Sequence, residues 1–156
     1  RFEHLPEGSD DHVASLSLLA NFTLARGENE ASLEHHLALA SLADGVFVQQ
    51  NIAYLSALLG KAEGARTAVT KARALLHLQP AVLPPQALSL LELDFRTIDA
   101  RIAALEGHTQ RAATIVDEVE SASRALELTD PQFVAHREES LQELAAIRVS
   151  LTSDSG

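Results

Sequence analysis

Apolar residues recur at intervals of three and four along most of the chain, which is the spacing of one face of an α-helix. The clearest stripe runs from Leu88 to Leu105, with successive spacings of 3, 4, 3, 4 and 3 residues. No run alternates between apolar and polar residues in the way that predicts a β-strand. The pattern and its glycine and proline breaks therefore predict an all-α fold of seven helices, at about residues 9–25, 30–43, 47–59, 62–78, 86–105, 109–128 and 130–151.

Three glycines mark the turns between paired helices, at Gly27, Gly60 and Gly107, separated by 33 and 47 residues. Small residues recur at fixed distances from them, and such residues let two antiparallel helices approach closely. These are Ala20, Ala53 and Ala100 seven residues before the glycines, and Ser32, Ala65 and Ala112 five residues after them. The spacing predicts helical hairpins over about residues 9–44, 45–79 and 84–129, followed by a C-terminal helix at 130–151. Asp130 is expected to cap that helix and Pro131 to be its first helical residue. Three prolines in residues 79–85 predict an extended connection within one domain that covers residues 1–156.

The segment from Gly60 to Ala72 resembles the turn and second helix of a tetratricopeptide repeat, a family whose unit is about 34 residues. The other two glycine-centred segments match less well, since His36 stands where a large apolar residue is usual. Gln49 and Asp99 also depart from the family pattern in the first helices. The resemblance implies a right-handed α-α superhelix of about three hairpins, capped by the last helix. A generic helical bundle is the alternative architecture.

In this family, partners usually lie against the concave face that the first helix of each hairpin forms. The resemblance carries this role to Ser17 and Asn21, with Ala14, in the first hairpin. In the other two hairpins the corresponding residues are Phe47, Gln50 and Tyr54, and then Asp94, Thr97 and Arg101. The alternative for Phe47 and Tyr54 is packing between repeats.

Some family members bind a peptide's C-terminal carboxylate with asparagines and basic residues. Asn21 and Asn51 occupy the asparagine positions, but Ser17, Asp94 and Ile98 occupy the basic ones. A carboxylate there would be desolvated without a cation, so we do not expect this kind of site.

The net charge of −10 would repel phosphate backbones, so nucleic-acid binding by this segment is not expected. Cysteine is absent, and the longest uncharged run contains several prolines, so neither a disulfide nor a membrane span is predicted. Methionine is also absent, so we expect a fragment of a larger protein. We expect a soluble, cytoplasmic protein.

Residues that could carry chemistry do not form a recognisable site. His35 and His36 point about 100° apart on a helix and are expected to be surface or packed side chains rather than metal ligands. The acidic cluster of Asp117, Glu118 and Glu120 lacks the glycine turn of a calcium loop and is expected to be a solvated face. No nucleophile elbow or phosphate loop occurs, so neither an enzyme nor a cofactor site is predicted.

The sequence therefore predicts a scaffold that binds a protein or a peptide, and self-association into a homo-oligomer is compatible with this assignment. The alternative is a ligand-sensing or oligomerisation segment of a bacterial transcription regulator. Residues 112–131 resemble the helical repeats of such regulators. In that case DNA binding would belong to a part of the protein outside this chain.

Overall fold

The computed structural model describes residues 10–78 and 83–154, and every regular element in these ranges is an α-helix. The helices are α1 (Asp10–Ala25), α2 (Asn29–Leu42), α3 (Val46–Leu58), α4 (Ala62–Leu78), α5 (Pro85–Leu105), α6 (Thr109–Ala125) and α7 (Pro131–Asp154). The predicted all-α class is confirmed, and no helix end lies more than three residues from its predicted position. The described ranges leave out the irregular lead-in expected at residues 1–8, residues 79–82 of the proline connection, and residues 155–156 of the polar tail expected at 152–156.

The three predicted glycine turns share one geometry. Gly27, Gly60 and Gly107 have φ angles of 73°, 78° and 80°, in the left-handed region that glycine adopts without strain. At the middle turn, the Gly60 amide donates to the Ala57 carbonyl and the next amide donates to the Ser56 carbonyl, at 3.1 and 2.8 Å. The other two turns repeat this bond pair, so each of these helices ends in the same glycine-based cap.

Close packing of each helix pair depends on the small residues that the sequence singled out. Ala20, Ala53 and Ala100 are fully buried, and so are Ser32, Ala65 and Ala112. The pairs that contact one another include α1 with α2, α3 with α4 and α5 with α6. A larger side chain at any of these positions would push the paired helices apart, because protein interiors are close-packed.

By their internal contacts, the residues divide into two compact units, Arg1–Leu78 and Gln79–Gly156, called unit 1 and unit 2 below. In unit 1, α2 and α3 also contact each other. In unit 2, α7 contacts both α5 and α6, and its buried side chains Leu144, Ile147 and Leu151 join the core there. The predicted single domain over residues 1–156 stays a prediction.

The start of α7 follows the predicted signal, while the end of α6 does not. Asp130 accepts a hydrogen bond from the Gln132 amide at 2.8 Å, and Pro131 is the first helical residue, as expected. Helix α6 was expected to reach residue 128 but ends at Ala125, and Leu126 has extended backbone. The Arg137 guanidinium donates to the Leu126 carbonyl at 2.8 Å, so a side chain from α7 satisfies a group that another helical turn would have used.

None of the helices in residues 10–78 and 83–154 is both long and apolar enough to cross a membrane.

Candidate functional site

The predicted interaction residues of α1 lie beside exposed apolar side chains. Asn21 is exposed and Ser17 is half-buried. Their neighbours Leu18 and Phe22, one helical turn apart, are 68% and 58% exposed. Arg26, one turn further along, places its guanidinium carbon 5.3 Å from the centre of the Phe22 ring. This part of α1 therefore exposes two large apolar side chains to solvent, with polar groups beside them.

Helix α3 presents the predicted residues of the second hairpin along one side. Phe47, Gln50 and Tyr54 follow at intervals of three and four, which places them on one helix face. Phe47 is 56% exposed, whereas Gln50 and Tyr54 are half-buried, and both have interaction partners in the fold. Phe47 is thus the most accessible of the three.

In unit 2, the predicted residues of α5 are directed toward α7 of the same chain. The Arg101 Nε donates to the Glu143 carboxylate at 2.9 Å, and both side chains are about three-quarters buried, with exposed fractions of 22% and 25%. The Asp94 carboxylate lies 2.8 Å from the His136 Nε2 and accepts from the Ser140 hydroxyl at 3.3 Å. These contacts use the predicted partner-binding groups to attach α7.

Thr97, between these two residues on α5, is also removed from solvent. Thr97 is only 4% exposed, and its hydroxyl donates to the Leu93 carbonyl at 3.0 Å. The residue therefore packs inside unit 2 rather than offering a free hydrogen-bonding group.

The contact between Asp94 and His136 changes the proton affinity of the imidazole. The hydrogen bond that His136 donates to the Asp94 carboxylate raises the pKa of His136 above its ordinary value, and burial opposes this shift. The charges of Asp94, Glu139 and Glu143 raise the pKa further. The charged form of His136 is thus favoured in the fold, and it strengthens the attachment of α7 to α5.

Asp117 and Glu118 of the acidic cluster on α6 are exposed, as expected for a solvated face, and the cluster also makes ion pairs. Arg148 of α7 contacts the carboxylates of Asp117 and Glu120, and these carboxylates raise its pKa. Glu118 pairs with Arg96 of α5 at 3.1 Å. The cluster therefore helps to hold α5, α6 and α7 together at their exposed edges.

His36 is the centre of a buried polar network in unit 1. The residue is 1% exposed, and its Nδ1 lies 2.8 Å from the Ser32 carbonyl oxygen, so Nδ1 carries the proton. The other nitrogen, Nε2, accepts from the Asn51 amide at 3.2 Å, and the Ser32 hydroxyl donates to the Ala20 carbonyl at 3.0 Å. The network joins α1, α2 and α3 through neutral groups.

Burial lowers the pKa of His36, since a charged imidazole would lose its hydration; the bond to Ser32 opposes the shift and the charge of His35 adds to it. The expectation that His36 is a packed side chain is confirmed. Within residues 10–78 and 83–154, no group of three or more histidine, cysteine, aspartate or glutamate side chains is placed to bind a metal.

No protein-family model matches the chain, and neither a curated protein nor a solved structure shows a significant similarity to it. The resemblance to tetratricopeptide repeats therefore stays a prediction based on the residues quoted for it.

Proposed function

We propose that this chain is a helical-repeat scaffold of the tetratricopeptide type that binds a protein or peptide on the α1 and α3 faces of unit 1. The observation that carries the proposal is the exposure of Phe22 and Phe47, at 58% and 56%, on the two helices that begin the first two hairpins. The chain has only six aromatic residues, and two of them are exposed: Phe47 at an expected partner position, and Phe22 directly after the expected residue Asn21. Burial of a large aromatic side chain is a common source of binding energy in interfaces.

Unit 2 supports the same repeat arrangement in another way. Helix α7 contacts both helices of the α5–α6 hairpin, and it pairs with Asp94 and Arg101, two of the expected partner-binding residues. An extra helix that fills the end of an array is the role of a cap in repeat proteins. The proposed partner site is therefore centred on Ser17, Asn21, Phe47, Gln50 and Tyr54.

The test is selection of twelve-residue peptides by phage display on the immobilised chain, followed by titration of the enriched synthetic peptides. We expect Phe47→Ala and Phe22→Ala each to weaken binding by about tenfold or more, as truncation of a central aromatic residue does. Leu78→Ala is the matched control, because Leu78 is 78% exposed but belongs to α4. Peptides that bind both phenylalanine variants as tightly as the parent chain would refute the proposed site.

A further inference from the structure

A second surface lies on unit 1, in a groove of about 650 Å³ between α2, α3 and α4. The side chains that α3 contributes are Gln49, Ile52 and Ser56, each two residues from Phe47, Gln50 or Tyr54. Two residues correspond to about 200° of rotation on a helix, so the groove and the aromatic surface use nearly opposite sides of α3.

The groove has an apolar floor with small residues along its edges. Leu33 and Ile52 line it and are each 5% exposed, while Leu37 also lines it and is 51% exposed. Ala40 and Gly64 border the groove without filling it. An apolar side chain of a partner could therefore contact Leu37 and displace water from it.

Both lysines of the chain, Lys61 and Lys71, line this groove. Among the described residues of unit 1, Arg26, Arg66 and Arg73 each have an interaction partner. Within the described ranges, the side chains of Lys61 and Lys71 make no hydrogen bond and no ion pair. The groove therefore holds two cations without an ion pair in the described part of the chain, beside the carboxylates of Asp44 and Glu63.

Two acidic residues also line the groove, but their surroundings already suit them. Asp44 accepts hydrogen bonds from the Gly45 amide and the Gln49 side chain, both at 2.9 Å. Glu63 lies in the first turn of α4, where the positive end of the helix dipole favours an acid. The two ammonium groups are thus the cations of the groove, and neither is satisfied by a hydrogen bond or an ion pair from a described residue.

We propose that this groove binds an acidic peptide in which two carboxylates flank an apolar side chain. Lys61 and Lys71 are ten residues apart, which is about 15 Å along a helix axis. In an extended peptide, residues four apart are separated by about 13 Å, so carboxylates at that interval reach both lysines. The apolar residue between them is then assigned to Leu37, which lines the same groove. The proposal does not depend on the α1 and α3 surface.

The probe is a capped, fluorescein-labelled seven-residue peptide with glutamates at its second and sixth positions, leucine at the fourth and glycine or serine elsewhere. We measure its binding to the full chain by fluorescence anisotropy. Glutamines in place of the glutamates are expected to weaken binding by at least about tenfold, because two ion pairs are lost. Binding is also expected to weaken as the salt concentration rises from about 50 to about 500 mM.

Matched variants then locate the binding site on the chain. Lys61→Glu and Lys71→Glu are each expected to weaken binding by about fivefold or more. Arg111→Glu makes the same change in net charge at an exposed residue of α6 that has no ion pair within the described ranges. Leu37→Ser should weaken binding, whereas Leu105→Ser, at a residue that is 44% exposed in unit 2, should not.

Equal binding of the parent, Lys61→Glu and Lys71→Glu would overturn the proposal, and so would an equal loss in Arg111→Glu. Far-UV circular dichroism and the thermal unfolding midpoint should match the parent for all charge variants, since the substituted side chains are exposed. Phe47→Ala should bind the acidic probe normally, so failure of this groove and failure of the α1 and α3 surface are separate results.

Discussion

The two units use the same turns but connect their helices by different kinds of interaction. In unit 1, a neutral network around His36 joins α1, α2 and α3, and its central imidazole is 1% exposed. In unit 2, α7 is attached through charged groups, among them the Arg101–Glu143 pair and the contact of Asp94 with His136. Glycine caps and small residues thus define the hairpins in both units, while the interactions between hairpins are specific to each.

Stability and pH response are expected to differ between the two units, because different contacts join the helix pairs in each. A neutral buried network resists salt but loses stability when its histidine is protonated. Partly exposed ion pairs respond to salt, and a histidine beside a carboxylate gains from protonation. The largest expected effects therefore come from the buried network and the smallest from titration.

The comparison predicts that His36→Ala is the most damaging of the substitutions considered below. It leaves a cavity and leaves the Asn51 amide without its acceptor, so we expect a loss of about 2–4 kcal/mol in the free energy of unfolding. His35→Ala is the matched control, since His35 is half-buried, and should cost about 1 kcal/mol or less. Urea unfolding followed by circular dichroism measures both, and equal losses would show that the network is not central to unit 1.

Replacement of Arg101 tests the charged attachment of α7. Arg101→Met leaves the Glu143 carboxylate, which is 25% exposed, without its cation, and should lower the free energy of unfolding by about 1–2 kcal/mol. Glu143→Gln should cost a similar amount, and the double variant should cost less than the sum of the two. Arg96→Met removes a more exposed pair, with side chains 39% and 52% exposed, and should cost less than about 1 kcal/mol. Strict additivity of the Arg101 and Glu143 effects would contradict a direct coupling between them.

Because the glycine turns share one geometry, replacing the turn glycine is expected to lower the free energy of unfolding by the same small amount in the two units. Gly60→Ala and Gly107→Ala place an alanine at φ angles of 78° and 80°, which costs about 1 kcal/mol each, although a Cβ there would meet no atom within 4 Å. Gly45→Ala is the control, because Gly45 has a φ of −175°, which any residue adopts, and also has open space around its Cβ position. Because Gly45 is the N-cap of α3, where alanine is less favourable than glycine, the substitution should lower the free energy of unfolding by about 0.5 kcal/mol, less than at the two turn glycines. A loss at Gly45 as large as that at Gly60 would argue against backbone strain as the cause.

Most of the fold could be predicted because its signals are local. Apolar spacing, the three glycines and the Asp130–Pro131 start fix helix ends through interactions within a few residues. The end of α6 was predicted too late because the deciding contact comes from Arg137, on the next helix. The superhelical arrangement depends on contacts of the same distant kind and stays a prediction.

The candidate site was harder to predict because exposure depends on which helices meet. Asp94 and Arg101 fit the expected partner positions, yet α7 of the same chain reaches them. A signal for this contact exists in the sequence. Asp94 and Arg101 are seven residues apart, and so are His136 and Glu143, with the opposite order of charge. In unit 1, the four-residue spacing of Ser32 and His36 is visible, but the participation of Asn51 required the fold.

The smallest expected effect is a pH response of opposite sign at the two histidines. The pKa of His36 is lowered by burial, so the unfolded chain binds more protons there and unit 1 loses stability as the pH falls through about 6.5, the ordinary histidine pKa. The pKa of His136 is raised mainly by its hydrogen bond to Asp94, so its contribution to the stability of unit 2 is fully present below about pH 6.5 and is lost as the pH rises through the folded-state pKa.

Urea unfolding midpoints of the parent, His136→Gln and Asp94→Asn between about pH 5.5 and 8.5 measure the contribution of His136. The deficit of His136→Gln relative to the parent should grow as the pH falls, and Asp94→Asn should reproduce most of that growth because it removes the group that favours the charged imidazole. A deficit that stays constant with pH would mean that His136 contributes packing alone, and the electrostatic contrast between the units would then rest on the arginine pairs.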